Sequence, residues 1–310
     1  MSSTFKPLVL VVGGTGNVGS TVLQALAKTN LYRLATSVRS ASLSKPQVAS
    51  LRALGIDIRA ADWQIDGPEM LDQLFSGSDI VISTVNSEAR LDQKILVDAA
   101  KRAHVKRFIP CDFGIARVPG VMDVSDEILE IRKYIEDSGV PHTYIDVGFW
   151  YQITVPYRET AKGHIPELVR EFYGDGEKKT AMVNRERIGL FVAQIIADPR
   201  TLNQYVFIYD DMRTMNEVYE VASRIAGEDF HKIKVVVSEE EVHKRVNDLK
   251  AQQKKHPWYQ LMYSLYFRGD NTIETAKSHG ALDGRVLYPE LKFQSLEEYA
   301  QEFYADTSAS

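Results

Sequence analysis

The sequence predicts an α/β fold, a doubly wound parallel sheet with a smaller C-terminal lobe, on three observations. Strand-like apolar segments alternate with helical patterns through the first half of the 310 residues, the first of them runs directly into a glycine-rich turn, and the alternation loosens after about Gly148. The strand-like segments fall at 8–12, 32–38, 56–60, 79–85, 106–110 and 142–147. At this length the chain can bury a sizeable core, and the reading places one domain at 1–150 and a second lobe at 151–310, partly interleaved with the main sheet.

The first element is the most informative. Val9-Leu10-Val11-Val12-Gly13-Gly14-Thr15-Gly16-Asn17-Val18-Gly19 opens with a short valine-rich run between Pro7 and Gly13, the pattern of a parallel strand buried on both faces. Gly13 permits a tight turn, Gly16 lets a phosphate approach the backbone, and Gly19 lets the helix that begins near Asn17 pack on the strand. Val18, Val22, Leu23 and Leu26 continue that helix, whose free N–H groups face an anion. Gly13, Thr15, Gly16, Asn17, Val18 and Gly19 are therefore expected to hold a dinucleotide pyrophosphate, which makes the first domain a Rossmann domain.

The second strand, 32–38, ends in Arg39 and Ser40 rather than in an acid. An acid there would bind the ribose 2′-hydroxyl of NAD, whereas an arginine pairs with the 2′-phosphate of NADP. Arg39, Ser40 and Lys45 thus point to NADP(H), against the plainer reading of Arg39 and Lys45 as solvated surface charges. Next comes the segment 79–85, then a helix from Gln93 to Ala103, then 106–110. The strand ends near Val85 and Pro110 edge the same crevice as the glycine turn, so Thr84, Val85 and Asn86 join the cofactor set. Further on, the charged stretch from Ser238 to Lys255 reads as a solvated amphipathic helix with Val242, Val246 and Leu249 on its buried side.

Composition narrows the partners. The net charge of −5 leaves no electrostatic footprint for nucleic acid, and no basic cluster suits an anionic membrane. No run of about 18 apolar residues occurs, and the first residues lack the apolar stretch of a secretory signal. Cys111 is the single cysteine, which excludes an intramolecular disulfide and fits a cytoplasmic location. The expected partner is a small molecule; a homodimer stays open. The seven histidines show no compact ligand spacing, so no metal site is expected. No Gly-x-Ser-x-Gly elbow occurs, and the one Tyr-x-x-x-Lys pair, Tyr288 and Lys292, is interrupted by Pro289.

Taken together, the glycine turn, Val38-Arg39 and Val105-Lys106-Arg107-Phe108-Ile109-Pro110-Cys111-Asp112-Phe113-Gly114 resemble the NmrA-like, isoflavone reductase-like branch of the atypical short-chain dehydrogenases. The stretches 131–144, Asp146-Val147-Gly148-Phe149-Trp150-Tyr151-Gln152 and Tyr288-Pro289-Glu290-Leu291 are similar to its fungal members. The resemblance implies NADPH-dependent reduction of phenolic or other secondary metabolites, with Phe113 against the nicotinamide end. It also implies a catalytic lysine at position 128, where this chain has Ile128. Lys133 is five residues away, about 140° around the helix, and so is not placed to replace it. Ile128, Ile131 and Ile135 instead form one apolar stripe. A second departure is Arg187, where related sequences tend to carry an acid; it either meets an anionic group or is a solvated residue.

Without that lysine, Tyr151, Asp112, His256 and Tyr263 are the candidate proton donors, and Ile128, Trp150, Tyr151, Tyr263 and Phe267 the candidate substrate pocket. The leading expectation is an NADPH-dependent reductase of an aromatic or heteroaromatic secondary metabolite. Two alternatives are an NADP(H)-binding redox sensor acting on a protein partner and a non-redox isomerase, dehydratase or cyclase. Cys111 reads either as a reactive thiol or as a small packed residue.

Overall fold

Five short apolar strands and the helices between them assemble as the periodicity dictates in the computed structural model, which describes residues 6–252 and 257–305. In chain order they are β1 (Leu8–Val12), α1 (Asn17–Thr29), β2 (Arg33–Val38), α2 (Pro46–Ala53), β3 (Asp57–Ala60), α3 (Pro68–Phe75), β4 (Ile80–Ser83), α4 (Gln93–Arg102) and β5 (Arg107–Ile109). The sheet order is β3-β2-β1-β4-β5, with every pair parallel. β1 is central, and all five of its residues are buried. Val9 faces Leu34 on one side and Ile80 on the other, which is why the run is apolar throughout rather than alternating. Pro46 and Pro68 open α2 and α3, where a missing N–H costs nothing, and α1 ends on Asn30 in the left-handed conformation.

The chain continues with α5 (Asp123–Ser138) and β6 (Thr143–Asp146). Sequence alternation makes β6 a sixth strand of the main sheet. It lies beside a later strand instead, and a single parallel bridge joins Phe108 of β5 to His142. From here the elements shorten: β7 (Phe149–Trp150), α6 (His164–Leu168), β8 (Glu171–Tyr173), β9 (Thr180–Val183), α7 (Ile188–Ala197) and β10 (Gln204–Phe207), the neighbour of β6. Then follow β11 (Asp211–Arg213), α8 (Met215–Ala226), β12 (Val235–Val237), α9 (Glu239–Ala251), α10 (Trp258–Met262), α11 (Ile273–Ser278), β13 (Ala281–Asp283), α12 (Gly284–Leu287) and α13 (Leu296–Ala305).

These elements form two compact units that do not follow one boundary at 150. The first comprises residues up to Phe113, Glu127–Ile145 and Glu186–Val206; the second comprises Gly114–Asp126, Asp146–Arg185 and the chain from Phe207. The chain thus changes unit several times, because α5, α7 and most of β6 and β10 complete the first unit from later sequence.

In the first unit α7 meets α1 backbone to backbone. A Cβ on Gly189 would lie 2.1 Å from the carbonyl oxygen of Thr21, so only glycine fits. The buried Arg107 donates from Nη1 to the Ile195 carbonyl and to Thr201 Oγ1, both at 3.1 Å, which satisfies the C-terminal end of α7.

The second unit pairs β9 with β7 and with β11, and β8 with β12. Aromatic rings fill its core: Tyr151 stacks on Tyr299 at 4.7 Å, Tyr173 on Tyr266 at 5.7 Å, and Phe172 meets Tyr219 edge-on at 5.2 Å. Thr214 and Glu217 form a reciprocal capping box at the start of α8. α9 begins at Ser238 as its cap and buries Val242, while Val246 and Leu249 are only half-buried, so its apolar face is narrower than the sequence suggests. No helix among the described residues is long and apolar enough to cross a membrane.

Candidate functional site

The turn after β1 shows why each glycine is there. Gly13 adopts φ +87°, and a Cβ on it would lie 2.7 Å from the Thr84 carbonyl oxygen. A Cβ on Gly19 would lie 2.4 Å from the Gly13 carbonyl oxygen and 2.6 Å from Thr84 Oγ1. Gly14, to which the sequence reading gave no role, is as constrained, since its Cβ would fall 2.3 Å from Thr36 Oγ1 and 2.5 Å from Leu23 Cδ1.

Gly16 differs from these three. Its φ of −78° and ψ of 174° are open to any residue, and a Cβ would meet no side chain within 4 Å, only the Gly13 and Thr84 carbonyl oxygens at 3.2 and 4.0 Å. The fold constrains this position least of the four, asking of a Cβ only that the Gly13 carbonyl give by a few tenths of an ångström; a group approaching from outside would constrain it more. Gly16 also stands at the N-cap of α1 with no side chain capping that end, and the first turn carries no acid. An exposed bare backbone and an uncapped helix start fit a diphosphate.

Thr15 and Asn17 are exposed and Val18 is half-buried around this turn. Thr84 donates from Oγ1 to the Val12 carbonyl at 2.9 Å, which ties the end of β4 to the end of β1. Val85 is half-buried, and Asn86 uses its Oδ1 to accept from the Ala89 amide at 3.1 Å, capping a short turn. Arg39 and Ser40 follow β2 as an exposed pair at the start of a 3-10 turn, and the exposed Lys45 precedes α2. Among the described residues neither cation has a carboxylate partner.

At the end of β5 the residues Cys111, Asp112 and Phe113 make a tight turn. The Asp112 amide donates to the Pro110 carbonyl at 3.0 Å, and Phe113, at φ +32°, donates to the Ile145 carbonyl at 3.0 Å. The Asp112 carboxylate is only 1% exposed and accepts from Arg132 Nε at 2.8 Å and Nη2 at 2.7 Å. That pairing occupies the carboxylate with Arg132 rather than with a substrate. The Cys111 thiol donates to the Val85 carbonyl at 3.1 Å. Ile128, Ile131 and Ile135 are all buried, so the apolar stripe on α5 exists and Ile128 packs in the first unit. Lys133 is 74% exposed and pairs with Asp137.

In the second unit Tyr151 has no exposed surface and donates its hydroxyl to the Gln294 carbonyl at 3.1 Å. Burial pushes its phenol well above the ordinary tyrosine value, with the Asp211 and Asp210 charges acting in the same direction. Such a group serves as scaffold rather than as an acid near neutrality. Trp150 is half-buried beneath Arg185, whose guanidinium carbon is 5.8 Å from the indole centroid. Tyr263 begins a π-helical turn, Tyr263–Arg268, in which four-residue spacing brings its ring alongside Phe267 at 6.2 Å; His243 lies 4.7 Å away on another side. Both Tyr263 and Phe267 are half-buried. His256 lies outside the described residues.

Arg187 is half-buried at the start of α7, 5.7 Å from the Phe191 ring, so this cation is partly covered rather than fully solvated. Tyr288 is buried, whereas Lys292 is largely exposed and pairs with Glu298, so the Tyr-x-x-x-Lys spacing builds no shared face.

The family model described as the NmrA-like family matches residues 6–300. The asnovolin J 5′,6′-dehydrogenase of Aspergillus novofumigatus is 31% identical, over 95% of this chain and 94% of its own length. Isoflavone reductase homolog P3 of Arabidopsis thaliana is also 31% identical, over 97% and 99%. Among solved structures, the binary complex of leucoanthocyanidin reductase with NADPH from Vitis vinifera superposes with a TM-score of 0.81 at 25% identity, over 96% of this chain and 100% of that one.

Proposed function

The chain belongs to the NmrA-like family, and from that premise we propose that it is an NADPH-dependent reductase of an aromatic or heteroaromatic secondary metabolite, of the fungal type. The observation that carries the reading is Gly16, an exposed glycine whose backbone angles any residue adopts and whose Cβ would meet no side chain, at the uncapped start of α1. Arg39, Ser40 and Lys45 supply exposed donors at the end of β2, where a 2′-phosphate would be met, and this favours NADP(H) over NAD(H). Two of the names support it, an isoflavone reductase homolog and a structural neighbour that is a reductase bound to NADPH, while the fungal relative is named a dehydrogenase, which is hydride transfer in the opposite sense. The single cysteine suits work in the cytoplasm.

When bound, the nicotinamide supplies a hydride. The amides at the start of α1 would hold the diphosphate, Arg39 would hold the 2′-phosphate, and Phe113 would edge the nicotinamide end. Ile128 offers no proton where the family resemblance implies a lysine. Of the remaining candidates, Asp112 is ion-paired and the Tyr151 hydroxyl is fully buried against a carbonyl, whereas Tyr263 is half-buried with Arg268 beside its hydroxyl, so Tyr263 is the preferred donor among the described residues. Trp150 and Phe267 would supply aromatic walls. A missing general acid lowers the rate by about 10² to 10⁴ and leaves hydride transfer intact, so an electrophilic substrate such as an iminium or a quinone suits this site best.

The occupied states of Asp112 and Tyr151 also favour a second reading, an NADP(H)-binding sensor without turnover. Absorbance of the nicotinamide band during a screen of phenols, enones, quinones and imines separates the two. Substrate-linked NADPH oxidation is expected; tight binding with no oxidation would overturn the reductase in favour of the sensor or a non-redox enzyme.

A further inference from the structure

We propose that Arg132 is a positioning residue for the nicotinamide half of the cofactor, acting through Asp112 on the turn Cys111–Phe113; this rests on the NADP(H) reading above. The sheet order sets the direction. β2, with Arg39 at its end, lies on one side of β1, and β4 and β5 lie on the other. A dinucleotide whose diphosphate sits at Gly16 and whose 2′-phosphate sits at Arg39 must send its other half toward the ends of β4 and β5. The turn after β5 is the wall it meets.

That turn is not a relaxed loop. Phe113 is a non-glycine residue at φ +32°, a conformation that persists only where its surroundings enforce it. Four contacts enforce it. The Phe113 amide donates to the Ile145 carbonyl, and the Cys111 amide donates to Gln93 Oε1 at 2.8 Å. Gln93 is itself buried and fixed through Nε2 to the Arg90 carbonyl at 3.1 Å, while the Cys111 thiol ties the turn to Val85 at the end of β4. The fourth contact is the ion pair of Asp112 with Arg132.

Arg132 is held more firmly than pairing alone requires. Its guanidinium carbon lies 4.8 Å from the Tyr144 ring centroid and 4.4 Å from that of Tyr205, so two rings pack against it while Nε and Nη2 reach one carboxylate oxygen. A lysine keeps the charge but has neither the fork nor the stacking plane. The arrangement fixes the direction of the Asp112 carboxylate, and through it the backbone that presents Phe113. Arg132 touches no cofactor atom in this account.

The test uses two probes. Adenosine 2′,5′-bisphosphate reads the Arg39 side alone, and NADPH reads both halves, with nicotinamide fluorescence on binding as the signature of its environment. For Arg132→Lys, and for the isosteric Asp112→Asn, affinity for the bisphosphate should stay within about twofold of wild type, while NADPH binds about tenfold more weakly and its fluorescence change shrinks. Thermal melts check that each variant is folded; if Arg132→Lys is not, Asp112→Asn carries the same test. Equal weakening of both probes, or of neither, overturns the positioning role. Failure of the wild-type chain to bind either probe would overturn the NADP(H) reading and this inference together.

Discussion

The two compact units are built from different material. The first is a parallel sheet of valine, leucine and isoleucine whose candidate site is backbone, a bare glycine and an uncapped helix start. The second packs tyrosine and phenylalanine around strands of two to four residues, and three of its buried hydroxyls are anchored to backbone carbonyls: Tyr151 to Gln294, Tyr219 to Val169 and Tyr304 to Pro156. A site made of backbone needs a rigid frame and tolerates no added carbon. A core made of tyrosines needs each hydroxyl satisfied, and in return fixes ring orientations that aliphatic side chains leave loose.

The largest effect should come from the polar anchor of the second unit. Arg117 pairs with Asp146 at 3.3 Å, and the carboxylate has no exposed surface. Arg117→Met leaves that charge buried, and denaturant titration should show a loss of about 3–5 kcal/mol; a loss under 1 kcal/mol would mean that the pair is not an anchor. Next is the backbone contact of the first unit. Gly189→Ala places a methyl against Thr21 and should destabilise by about 1–3 kcal/mol. Unchanged stability there would show that α1 and α7 are not in backbone contact.

Smaller still, Tyr151→Phe should remove about 0.5–1.5 kcal/mol while leaving turnover unaltered, since its hydroxyl is a scaffold donor. A fall of 10²-fold or more in kcat would instead make it the general acid. The last prediction has no consequence at neutral pH. Burial holds the phenols of Tyr151, Tyr173, Tyr219, Tyr266 and Tyr304 above their ordinary value of 10.0. The unfolded chain therefore loses these protons first as pH rises. Their contribution to stability is complete below pH 10 and is lost progressively above it. Tyrosinate absorbance should rise together with loss of the circular dichroism signal; ionisation near pH 10 with the fold intact would contradict the buried arrangement.

The same contrast explains what could be read in the sequence. Strands buried on both faces leave continuous apolar runs, which mark β1 and β4, whereas the edge strand β3 is partly exposed and less apolar; all five strands of the main sheet still lie where their patterns predict, trimmed by up to three residues where the chain turns out of the ladder. The membership of β6 was not legible, because pairing partner is a long-range property and its neighbour, β10, comes some sixty residues later. Strands as short as Phe149–Trp150 carry no periodicity at all. Of the candidate site, the glycine turn was legible from its context, yet the constraint on Gly14 depends on Thr36 and Leu23 and could not be seen. Gln93 and Arg132 were missed for the same reason. A residue that acts through a distant turn gives no local signal, although a buried arginine on an otherwise apolar helix face is a clue worth pursuing.

Gly16→Ala probes the cofactor site with the least disturbance, because Gly16 is the glycine of the turn that the fold constrains least. Calorimetric titration with NADPH, alongside a thermal melt, should show a folded variant destabilised by only about 1 kcal/mol, the cost of alanine at an N-cap, and binding weakened by tenfold or more, about 1.4 kcal/mol. Wild-type affinity in the folded variant would contradict the account, since the backbone at Gly16 would then not be where the cofactor binds.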